Sequence, residues 1–195
     1  MMRNALVVAT SLIATAAVAQ TVPTPTPLPN PHPKTTSVFD IPQRGVTFIT
    51  GDTWVQNGQT IRLYGVQSCI RRTAFTNQAG RKTDCGEASL AYLAALARDT
   101  KPTCTALAQT GTPPVILAIC AAHVGANTLD LGTILTTEGF GFAALAATGK
   151  AVYQPYLIAE LTAKKEKRGL WAAPDFPHPH AIMSNALTTR QNPLK

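Results

Sequence analysis

The hydrophobic positions along the chain fall into distinct periods, and each period predicts an element. Residues 5–18 form one apolar run of Ala, Leu, Val and Ile, softened by Thr and Ser. The run is shorter than the ~20 residues needed to span a bilayer. It follows Arg3 and ends at Ala17-Val18-Ala19, a small-x-small cleavage form, so residues 1–19 are expected to be a signal peptide. Residues 20–37 contain six alternating prolines, Pro23 to Pro33. That spacing forbids helix and sheet, and it predicts an extended polyproline-type spacer.

Regular patterning begins near Val38. Val46, Phe48, Trp54 and Val55 precede Asn57-Gly58, and Ile61, Leu63 and Val66 follow it. This reads as strand, tight turn, strand, because Asn-Gly supplies two positive φ angles. Residues 86–98 place Leu90, Leu93, Ala94 and Leu96 on one helical face. Residues 101–106 and 115–121 read as two strands joined across Gly111-Thr112-Pro113-Pro114. Residues 129–138 read as a short helix ended by Gly139, and 152–168 as a longer one closed by Gly169. The Pro- and His-containing segment 173–195 is expected to be an irregular tail. A strand-rich first half with helices inserted later predicts an α+β domain over 38–172.

Composition narrows the class. Charged residues make up only 14% of the 195 positions, and 45% are hydrophobic, so the chain can bury a real core. The formal charge is +7, and loss of Arg3 with the signal lowers it by one. That is a mild basic excess, with much of it in Lys164, Lys165, Lys167 and Arg168 at a helix end, where it suits the helix dipole. A charge run there reads as a solvated face.

The four cysteines allow three pairings. An exported destination makes disulfides the default. Cys104 and Cys120 lie on two predicted strands joined by a short loop, so they can face one another. Cys69 and Cys85 flank the loop before the first helix. No C-x-x-C pair or ligand-spaced His supports zinc, and a Cys–His nucleophile using His123 is the weaker alternative. Each neighbour-to-neighbour bridge closes a loop of about 15 residues, worth about 3 kcal/mol in the chain-entropy account.

Gly51-Asp52-Thr53, followed by Ile61-Arg62-Leu63-Tyr64-Gly65-Val66, resembles the strand and hairpin of staphylococcal-nuclease-like (thermonuclease) domains. The likeness extends through Cys69, Cys85-Gly86-Glu87-Ala88, Cys104, Cys120 and the Leu-rich stretch 131–142. It continues through Tyr156, Ala159-Glu160, Ala163-Lys164 and Gly169-Leu170-Trp171 to Phe176 and Pro179. The resemblance implies an OB-type five-stranded Greek-key β-barrel with about three helices. In the exported form of this family it also implies two disulfides, matched by the same four cysteines.

The family chemistry is metal-assisted phosphodiester cleavage. A hard calcium ion needs several anionic oxygens, and the developing phosphorane charge needs cationic donors. Carried over residue by residue, the first metal Asp is Asp52 and the first Arg is Arg62. The second Asp falls on Gln67, the Thr on Ser68, the Pro on Cys69, the general-base Glu on Ile70, and the second Arg on Val115. Isoleucine cannot move a proton, and loss of a general base alone costs about a hundredfold or more. Asp84 and Glu87 near the first helix are read as helix-start acids rather than replacements. Asp52 and Arg62 are expected to form a partly buried ion pair, and His178 and His180 to be solvent-exposed rather than metal ligands.

The expected function is therefore an exported, catalytically inactive nuclease-fold protein in the periplasm or outside the cell. It would act as a binding or accessory module of the envelope, as nuclease-like proteins linked to exopolysaccharide (succinoglycan) biosynthesis do. Its implied partner is an anionic polymer, polysaccharide or nucleic acid, or an envelope protein, and it needs no cofactor. The alternative is a calcium-dependent phosphodiesterase with residual activity. A third reading is a structural envelope protein that reaches a partner through its proline spacer.

Overall fold

The computed structural model describes residues 37–191, and side chains through 186. The expected signal peptide, nearly all of the expected proline spacer and the last four residues lie outside that range. The alternating apolar residues of Val46–Thr50 (β2), Thr53–Gln56 (β3) and Gln59–Leu63 (β4) form an antiparallel meander. Its second turn is built by Asn57 and Gly58, both at positive φ (51° and 72°), as the Asn-Gly pair predicts. Ahead of it, Val38–Asp40 (β1) pairs with Thr103–Thr110 (β8), and β8 pairs with Val115–Val124 (β9). β9 runs parallel to β4, which joins the two halves into one curled half-barrel in the order β1-β8-β9-β4-β3-β2. Asn127–Asp130 (β10) folds back onto β9.

Two small ribbons complete the strands. Val66–Ser68 (β5) pairs with Gly141–Ala143 (β11), and Ala74–Thr76 (β6) pairs with Lys82–Asp84 (β7). The helices are Cys85–Thr100 (α1), Leu131–Thr137 (α2), Gln154–Lys165 (α3) and Pro179–Gln191 (α4), with a 3-10 turn at Gly169–Ala172. The fold is α+β, with four helices among the described residues. None of them is long and apolar enough to cross a membrane.

Trp54, Ile61, Leu63, Leu93, Leu131 and Leu135 are buried together between the sheet and α1 and α2. A second cluster gathers Cys69, Phe75, Cys85, Phe142 and Leu170. The bridges Cys69–Cys85 and Cys104–Cys120 both form. The second ties directly opposed residues of β8 and β9. The first ties the end of β5 to the start of α1.

Several boundaries differ from those expected. Residues 129 and 130, read as the start of a helix, belong to β10 instead, and α2 starts only at Leu131. The reason is the Asp130 carboxylate, which accepts from the Thr133 amide at 2.6 Å and fixes the helix start. α3 is shorter than 152–168 because Pro155 sits in its first turn and Lys167 turns left-handed at φ 55°. The tail is not irregular. Pro179 opens a helix, a position that suits its fixed φ, and neither Pro nor Gly interrupts the next twelve residues. His178 and His180 are not solvent-exposed. His178 Nε2 bonds the buried Glu160 at 2.9 Å, and His180 Nε2 bonds the Ala143 carbonyl at 2.7 Å. Glu160 also accepts from the Ala143 amide at 2.7 Å, so α3 holds both β11 and the tail segment.

Candidate functional site

A cleft of about 760 Å³ opens where the β2–β3 turn, β4, β5 and the start of α1 converge. Its chemistry starts from Asp52, which the tight β2–β3 turn directs inward until it is only 3% exposed. A buried carboxylate must be paired and hydrogen-bonded. Asp52 Oδ1 accepts from the hydroxyls of Thr50 and Thr53, at 2.5 and 2.9 Å. Oδ2 accepts from Arg62 Nε at 3.1 Å and from the Ser68 amide at 3.3 Å, and lies 3.0 Å from Arg62 Nη2 in the ion pair. Arg62 can do this because it faces Thr53 across the β3–β4 ladder. The expected Asp52–Arg62 ion pair is therefore present, and it is half-buried: the Arg62 side chain retains 39% of its exposure.

Gln67 continues the same network. Its Oε1 accepts from Arg62 Nη2 at 3.0 Å, and its Nε2 donates to the Ser68 carbonyl at 2.9 Å. A hard cation requires oxygens that are free to turn toward it. Here both Asp52 oxygens and the Gln67 carbonyl are committed to protein donors, with four hydrogen bonds on Asp52 alone. Among the described residues no group of three or more His, Cys, Asp or Glu is placed to hold a metal. The residues do not fit a calcium site.

The remaining lining follows from the Cys69–Cys85 bridge. It draws the segment after β5 onto the first turn of α1, where a Cβ on Gly86 would lie 2.6 Å from the Arg71 backbone. That close approach requires glycine. It brings Ile70, Arg71 and Arg72 to the cleft with Asp84 and Glu87. Ile70 offers the cleft an aliphatic side chain. Asp84 caps α1 through the Glu87 amide at 2.9 Å and accepts from the Arg72 amide at 2.6 Å. Glu87 pairs with Arg71, whose guanidinium also donates to the Ile49 carbonyl. Both acids thus have structural partners, in keeping with their reading as helix-start acids.

Other candidates are not brought here. Val115 opens β9 opposite Thr60 and does not line the cleft. His123 is exposed on β9, and the cysteines are all oxidised, so it has no thiol partner. Lys164 lies over the Trp171 ring at 5.2 Å, and Arg168 pairs with Glu138 and Glu166. That basic run is thus partly tied into local contacts, with Lys165 and Lys167 exposed.

The loop closed by the first bridge carries the β6–β7 ribbon. Asp175 clasps it, accepting from the Thr76 amide and hydroxyl at 2.8 and 2.7 Å and from Lys82 at 2.9 Å. The Thr76 amide, then Lys82, hold the Asp175 carboxyl well below the usual aspartate range. Sequence reasoning missed Arg71, Arg72, Thr50 and Thr53. The Arg-Arg pair directly after Ile70 was the available signal, but only the fold shows that it lines the same cleft as Asp52. No protein-family model matches this chain, and no curated protein matches it.

Proposed function

We propose that the chain is an exported, nuclease-like OB-type barrel that binds an acidic polymer through the Arg62–Arg71–Arg72 cleft without cutting it. The observation that carries this reading is the state of Asp52. It is kept, but its two oxygens are taken up by the Thr50 and Thr53 hydroxyls, the Arg62 guanidinium and the Ser68 amide, and Ile70, Arg71 and Arg72 share the cleft with Asp84 and Glu87. Such a cleft offers guanidinium donors suited to phosphate or carboxylate. Its carboxylates, Asp52, Asp84 and Glu87, are each held by protein donors. The two bridges suit an oxidising compartment, the periplasm or the extracellular space. An acidic exopolysaccharide and a nucleic acid share the required chemistry, and the accessory role in exopolysaccharide formation follows from the former.

Retention of the full disulfide-bonded protein on an acidic polysaccharide and on single-stranded DNA, over a salt series, tests the proposal. Binding should weaken with salt, and removing one cationic contact should reduce the slope by about one. Arg71→Ala and Arg72→Ala should each show this. Equal retention of both variants and wild type on every polymer would refute it.

A further inference from the structure

A second cavity, of about 260 Å³, shares no residue with the arginine cleft. Its walls are Tyr64, Tyr153 and Tyr156, with Leu107 and Ile119 from the sheet. Leu107, Ile119 and Tyr153 are 44%, 40% and 44% exposed, so three large apolar side chains of this cavity reach solvent. The chain is shaped locally to make it. β8 carries a bulge between Ala106 and Ala108, the device that re-aims a single side chain, and Leu107 is the residue in it. A Cβ on Gly65 would lie 3.0 Å from the Tyr153 Cβ and 3.3 Å from the Tyr156 ring. One on Gly132 would lie 2.3 Å from the Tyr156 hydroxyl. The tyrosines are therefore seated against glycines that admit them. The Tyr153 and Tyr156 rings pack edge to face at 74° with centroids 4.7 Å apart, which holds the exposed Tyr153 ring against the buried Tyr156.

The charge at this cavity selects the ligand. No Lys, Arg or His lines it, and its one ionisable acid is Asp130, which bonds the Tyr156 phenol and caps α2. Phosphate and carboxylate ligands find no cationic partner there. Aromatic faces around one carboxylate are the arrangement that attracts an alkylammonium group, through ring quadrupoles and Coulomb attraction. We propose that the cavity formed by Tyr64, Tyr153, Tyr156 and Asp130 binds a small quaternary ammonium group.

The test is a chemical-shift titration of the full disulfide-bonded protein with tetramethylammonium and choline, at constant ionic strength. The neutral isostere 3,3-dimethyl-1-butanol and glucose serve as controls. Saturating shifts are expected at Tyr64, Leu107 and Ile119 for both ammonium probes, with the isostere and glucose at least tenfold weaker. Tyr153→Ala should weaken binding about tenfold, Tyr153→Phe should keep most of it because the ring remains, and Asp130→Asn should weaken it while still capping α2. The wild-type spectrum reports retention of the fold in each variant. Absence of saturation with either ammonium probe, equal binding of the isostere, or unchanged binding by Tyr153→Ala would overturn the proposal.

Discussion

Asp52→Ala separates a structural carboxylate from a catalytic one. In the wild-type protein this buried group satisfies the hydroxyls of Thr50 and Thr53, the Arg62 guanidinium and the Ser68 amide. The substitution removes all of these acceptor contacts together. Removing one partner of a fully buried ion pair costs about 3–5 kcal/mol. Arg62, at 39% side-chain exposure, can rehydrate, and the two threonine hydroxyls can rotate, which lowers the cost. The Ser68 amide cannot move, and burying it unsatisfied costs about 1–3 kcal/mol. These contributions share one network and do not simply add. The expected loss is about 3 kcal/mol, or roughly 6–12 °C in Tm for a domain of this size. Urea unfolding with and without calcium measures it. A catalytic carboxylate held in unfavourable electrostatics behaves in the opposite way, since its removal leaves stability unchanged or raises it. A destabilisation below about 0.5 kcal/mol would refute the structural role. So would calcium stabilising the wild type but not the variant, because a ligand bound to the folded state shifts stability by mass action.

Further expectations concern the staples and the titrating groups. Replacing Cys104 and Cys120 together by Ala should cost about 2–5 kcal/mol by chemical denaturation; an unchanged midpoint would show the bridge to be dispensable. Glu160→Ala should destabilise by about 2–3 kcal/mol and lower proteolytic resistance near His178, because the Ala143 amide and His178 Nε2 both lose their acceptor. Asp175 has a lowered folded pKa, so its clasp contributes fully above the unfolded value near 4 and is lost as the pH falls through the lowered folded value. The protection factor of the Thr76 amide should therefore persist at about pH 4 in the wild type and be reduced already at neutral pH in Asp175→Ala; equal protection in both proteins would refute the clasp. Tyr156 is shifted the other way: burial first, then Asp130, holds its phenol protonated well above the ordinary tyrosine range. Its contribution is complete below about pH 10 and declines as the pH rises beyond that, so ultraviolet titration should show this tyrosine ionising last or only on unfolding.

Local chemistry made much of the architecture legible. Asn57-Gly58 fixes the hairpin, and the spacing of Cys104 and Cys120 follows from their opposed places on β8 and β9. Asp52 and Arg62 could be paired because the Asn57-Gly58 hairpin sets Arg62 opposite Thr53, the residue next to Asp52. What was not legible depends on distant partners. The tail reads as irregular because His178-Pro179-His180 carries no periodic pattern, whereas its order comes from Glu160 and Ala143. The short ribbons β5–β11 and β6–β7 span three residues per strand, too few for alternation to register. Gln67 reads as a lost metal ligand, yet its role as an acceptor for Arg62 needs the folded geometry. Arg71 and Arg72 enter the cleft only because the first bridge folds their segment onto α1.

The most direct test incubates the pure protein and its Asp52→Ala variant with labelled single-stranded DNA and calcium, and follows both retention and chain length. A non-cutting acidic-polymer module predicts no cleavage by either protein, with polymer retention that falls as salt rises. Calcium-dependent cleavage by the wild type that disappears in Asp52→Ala would contradict it.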